Sequence, residues 1–119
     1  MNVINLKING KDIQCQMGIL AIRKYCDHYN IPLEELGASL QKAGVFAVTD
    51  MVFFAHQAYC DLNGKSTIVN RDECTTAVEY LNEEAINLIM ASIMDIKILG
   101  KSISEAEEGA KKKGTTISR

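Results

Sequence analysis

His56 and Cys60 stand four residues apart in an apolar stretch, a spacing that puts two side chains on one face of a helix. A thiol and an imidazole so placed could share a metal ion or form a nucleophile–base pair. A metal site needs further ligands. Cys26 and His28 are the remaining candidates, but two residues apart on a helix they point to nearly opposite sides. Nucleophilic catalysis needs a thiol of lowered pKa, and no recognisable motif surrounds Cys15, Cys26, Cys60 or Cys74. Asn63-Gly64-Lys65-Ser66 carries the GKS of a phosphate-binding loop. Tyr59 stands where that motif needs its first glycine, so the backbone could not curl round a phosphate. The acidic pairs Glu34-Glu35 and Glu83-Glu84 fall where helices should begin, and the helix dipole accounts for them without catalysis. We therefore expect no catalytic, metal-ligating or cofactor-binding residues, and four cysteines that act as small buried hydrophobes.

Composition narrows the class. The chain has 119 residues, 47% hydrophobic and 24% charged, with 13 Lys+Arg against 15 Asp+Glu. That suits one soluble domain with its own core. No apolar run spans a bilayer and no secretory leader is recognisable, so no membrane partner is expected. A formal net charge of -2 supplies no field for nucleic acid. The absence of a CxxC pair or a dense cysteine framework fits free thiols in a reducing cytoplasm.

The pattern along the chain predicts a mainly helical α+β domain. Ile4, Leu6 and Ile8 alternate with polar residues, Asn9-Gly10 supplies a two-residue turn, and Ile13, Cys15 and Met17 resume the alternation. This gives a β-hairpin over residues 2–17. Helical periodicity follows over about 18–30, with Ile19, Ile22, Cys26 and Tyr29 on the inner face and Arg23, Lys24, Asp27 and His28 outside. Ile31-Pro32 ends that helix, and a second runs over about 32–42. The third, 45–62, carries an apolar stripe of Val48, Met51, Val52, Ala55, Ala58, Tyr59 and Leu62. Asn70 with Glu73 reads as a capping box for a helix over about 71–82, which Asn82 either continues or restarts as a helix over 83–99. The compact domain is expected to span 1–100 and a basic tail 101–119. That tail holds five Lys+Arg against three Glu, net +2, where residues 1–100 carry -4. Its Lys111-Lys112-Lys113 run has the character of a solvated segment.

Two features suggest a surface for another protein. The apolar residues of the 83–99 helix sweep roughly 240° of its circumference, which fits either the central helix of the fold or one that meets another chain. Phe54 also falls beside Asp50, Gln57 and Asp61, and Ile98 beside Asn87, Ala91 and Asp95, so both are expected on polar faces as partner-binding positions.

The order of these patterns resembles phage tail assembly chaperones. Leu6-Lys7-Ile8-Asn9-Gly10-Lys11-Asp12-Ile13, then Met17 to Lys24, then Tyr29-Asn30-Ile31-Pro32-Leu33-Glu34-Glu35-Leu36 carry the likeness, followed by Thr49 to Tyr59 and an acidic, helical second half. It covers residues 3–99 and rests on order and pattern. It implies an assembly factor of a long-tailed phage or prophage, working in the host cytoplasm and absent from the mature virion. Such a factor binds the tape-measure protein, recruits tail-tube subunits and carries no catalytic residues. The family also often makes a longer product by frameshifting, so Lys111, Lys112 and Lys113 would then encode a slippery site. Alternatives are a small cytoplasmic adaptor that pairs or self-associates through its late helix, and a thiol or zinc enzyme.

Overall fold

The computed structural model describes residues 3–98 and 100–103. Strands β1 (Val3–Ile8) and β2 (Lys11–Gln16) form an antiparallel hairpin whose register closes on Ile8↔Lys11. Asn9 and Gly10 both take positive φ, 54° and 76°, which the tight turn requires. Leu6, Ile8, Ile13, Cys15 and Met17 are buried, so the alternating residues do face one core.

Helix α1 (Ile19–Tyr29) ends on Asn30, whose left-handed conformation turns its N–H back onto the last carbonyls, and Pro32 lies beyond. Its inner face is rotated from the expected one. Ala21, Ile22, Tyr25 and Cys26 are buried, while Ile19 and Tyr29 are exposed. Tyr25 decides the rotation, meeting the Phe54 ring edge-on and bonding its hydroxyl to Ser39 Oγ at 3.0 Å. A 3-10 turn (Leu33–Glu35) leads into α2 (Leu36–Ala43), and Gly44 turns the chain into α3 (Val45–Asn63).

Helix α3 is the axis of the fold, touching β2, α1, α2, α4 (Arg71–Thr76) and α5 (Glu83–Met94). Eleven of its 19 residues are buried, and at 100° per residue they are spread round the whole circumference. The expectation that the late helix could be central is thereby corrected: the enclosed helix is α3, and α5 lies at the side.

The Asn70–Glu73 capping box forms, with Glu73 N–H donating to Asn70 Oδ1 at 2.8 Å and Asn70 N–H to Glu73 Oε1 at 3.1 Å. After α4 and a 3-10 turn (Ala77–Glu79) the helix breaks, and Asn82 caps a new one by accepting from Ala85 N–H at 2.8 Å. The stretch after Asn70 is thus two helices, α4 and α5, with a break at 80–82. Helix α5 also ends early. After Met94 the chain leaves the helix and forms a small hairpin of β3 (Lys97–Ile98) and β4 (Lys101–Ser102), with Gly100 at φ 84°. Ile103 is buried and its N–H bonds to the Ile96 carbonyl at 3.1 Å, so the folded unit extends past residue 100. The Lys111–Lys113 expectation lies outside the described residues. No described helix is long and apolar enough to cross a membrane.

Candidate partner-binding surface

The residues singled out for chemistry are held by other parts of the chain. His56, buried on α3, donates from Nδ1 to the Gln14 carbonyl at 2.9 Å and accepts at Nε2 from Ile68 N–H at 3.1 Å. A carbonyl only accepts and an amide only donates, so these partners fix the ring's tautomer. Cys60 Sγ lies 3.7 Å from that occupied Nε2 and donates to the Ser66 carbonyl at 3.5 Å. The pair pins β2 and the loop after α3 onto the helix. All four thiols are buried and pushed upward by desolvation, Cys74 to about 12, which keeps them protonated and poorly nucleophilic. Among the described residues no three His, Cys, Asp or Glu side chains gather as metal ligands. Gly64, in the GKS segment, caps the C-terminus of α3, with Lys65 N–H returning to the Cys60 carbonyl at 2.9 Å. That is the negative end of a helix dipole, opposite to the end that attracts phosphate.

Phe54 does not lie on an exposed face. It is 5% exposed, with Tyr25 edge-on at 6.2 Å and His28 and Phe53 at 5.3 and 5.4 Å between centroids. The expectation failed because its neighbour Asp50 is not solvated either. Asp50 is buried and its two oxygens accept from Arg71 Nε at 2.9 Å and Nη2 at 3.0 Å, a bidentate pair. The Tyr29 hydroxyl donates to the same carboxylate, and Arg71 Nη2 also reaches Tyr29 at 3.1 Å. A polar residue thus marked an inter-helix network joining α1, α3 and α4. Ile98 is likewise misplaced by the expectation. It sits in β3, half-buried against the core, not on the polar face of a helix.

One surface open to a partner is the flank of α5. Ile89, Ser92 and Ile93 form its buried line. Ile86, Met90 and Met94 are half-buried on one side, and Leu88 stands 54% exposed on the other. The wide apolar arc is real, but the domain covers only its middle. Where α2 hands over to α3, Val45 and Phe46 are also exposed, Phe46 at 57%. Phe46, in the first turn of α3, was not among the positions singled out from the sequence. No family model, curated protein or solved structure matches the chain.

Proposed function

We propose that this protein is a tail assembly chaperone of a long-tailed phage or prophage, acting in the host cytoplasm by binding. Its client is the tape-measure protein, whose apolar helical stripes it covers until tail-tube subunits take its place. The observation that carries the binding reading is α5, whose apolar arc is wider than the part its own domain buries. An amphipathic client helix laid beside Leu88, or in the shallow line of Ile86, Met90 and Met94, would bury that arc in the manner of helix-in-groove recognition. Thioether side chains suit such a role, because methionine adapts to unlike partners. Many such contacts along a long client add up through avidity while each remains weak enough to be displaced. The phage assignment itself rests on the order of sequence patterns from residues 3 to 99.

Co-expression with a tape-measure protein of the same phage or prophage tests this reading. The client's soluble fraction is expected to rise with the wild-type chain and to return to background with Leu88→Glu and Met90→Glu. A client equally insoluble with and without the chaperone would overturn the proposal.

A further inference from the structure

The hairpin offers a second recognition surface, and its two edges differ. A two-residue turn makes Ile8↔Lys11 a hydrogen-bonded pair, and the antiparallel alternation extends this to Leu6↔Ile13 and Ile4↔Cys15. The backbone N–H and C=O of Asn5 and Lys7 on β1, and of Asp12 and Gln14 on β2, therefore point away from the hairpin. On the β2 side the edge is occupied: the Gln14 carbonyl accepts from His56, and Lys11 Nζ reaches across to the Ile68 carbonyl at 2.9 Å. On the β1 side no described group bonds to the Asn5 or Lys7 backbone. That edge opens into a groove of about 610 Å3, walled on one side by Asn5, Lys7 and Asn9 and on the other by Tyr80, Leu81 and Ala85. The Tyr80 hydroxyl closes one end by accepting the Asn9 N–H.

The geometry points to β1 as a site of strand addition for an extended peptide of another protein, alternating apolar and acidic residues. Main-chain bonds to Asn5 and Lys7 would supply affinity, and the side chains would supply selectivity. Apolar residues of the incoming strand would face Leu81 and Ala85. Those between them would lie beside Lys7, whose side chain is 70% exposed and whose pair with Asp12, at 4.0 Å, is an exposed and weak one. An acidic residue there gains a partner, whereas the chain's own basic segment at 111–119 would be repelled. A second copy is disfavoured for a similar reason, because β1 paired with β1 brings two Lys7 side chains together. This site borrows Ala85 from the first turn of α5 but uses neither Leu88 nor the Ile86, Met90 and Met94 line, and it does not depend on the identity of the helical client.

Titration of the isotope-labelled full chain with a capped six-residue peptide alternating valine and glutamate tests the assignment by NMR. Asn5 and Lys7 amides should shift most, and their solvent exchange should slow. Asn5→Pro removes one outward donor at an edge position and should weaken binding about three- to tenfold, the worth of one backbone hydrogen bond. Lys7→Glu keeps every backbone group and should reverse the preference toward a valine–lysine peptide, while Leu88→Glu should leave binding unchanged. Largest shifts at Leu88, Met90 or Met94, no shifts at millimolar peptide, both hairpin variants binding like the parent, or a β1-dependent dimer that the peptide cannot displace would each overturn the assignment.

Discussion

Helices α3 and α5 are equally rich in apolar residues, 13 of 19 and 8 of 12, yet they occupy opposite positions in the fold. Helix α3 is enclosed round its circumference from Ala47 to Cys60, open only at its two ends, and its polar residues Asp50 and His56 are buried and hydrogen-bonded. Helix α5 rests on α3 by one line and leaves apolar shoulders on both sides of it. Apolar content therefore does not say which helix is central. What distinguishes them is where the charged residues lie: Asp50 is buried and paired on α3, while those of α5 stand at its exposed start. On α3 Asp50 and His56 are satisfied by Arg71, Tyr29, Gln14 and Ile68, so the helix can be surrounded. On α5 the charged residues Glu83 and Glu84 sit exposed in the first turn and leave the opposite arc to be covered only in part.

Substitutions should separate the two helices sharply. Arg71→Ala strands the Asp50 carboxylate in the interior and should cost about 3 kcal/mol, the lower end for a buried pair because the guanidinium is 43% exposed and water can follow it in. Phe54→Ala should cost about 3 kcal/mol through the cavity left beside Tyr25. His56→Ala should cost about 2 kcal/mol, leaving the Gln14 carbonyl and Ile68 N–H without partners. Leu88→Ala on α5 should stay within about 0.5 kcal/mol. Urea unfolding of the four variants reads the whole series, and a Leu88 cost equal to that of Phe54 would erase the distinction.

Much of the local structure was legible because local chemistry dictates it. The Asn9-Gly10 turn and the Asn70–Glu73 box are decided by neighbours in sequence, and both form, whereas Asn82 left a continued and a restarted helix equally open until the structure showed it capping a new one. What could not be read were features set by distant partners. Phe54 looked exposed because Asp50 looked solvated, and Arg71 and Tyr29, each 21 residues from Asp50, make it otherwise. The end of α5 at Met94 depends on Ile96 and Ile103 meeting across a small hairpin, which helical periodicity cannot announce. The signal that was available is that the apolar residues of α3, unlike a one-sided stripe, run round the helix, the mark of a helix buried on all sides.

The smallest expected effect lies at the hairpin's outer end. Glu73 accepts from Asn9 Nδ2 at 2.9 Å and Lys11 Nζ at 3.0 Å, and with the Asn70 N–H these hold its carboxyl well below the usual range, at about 2. A carboxyl whose folded pKa is lowered contributes stability that is complete above its unfolded value of about 4.5 and is lost as pH falls toward about 2. Glu73→Gln should therefore flatten the loss of stability over that interval and leave the neutral-pH profile's shape unchanged, as followed by thermal melts across pH.

The contrast between the helices is tested most directly by placing a photo-crosslinking amino acid at position 88 on α5 and, as a control, at exposed position 61 on α3, in cells that also express the tape-measure protein. Crosslinks to the client from position 88 and none from position 61 are predicted. Equal crosslinking from both positions, or none from position 88 with a soluble client, would contradict the account.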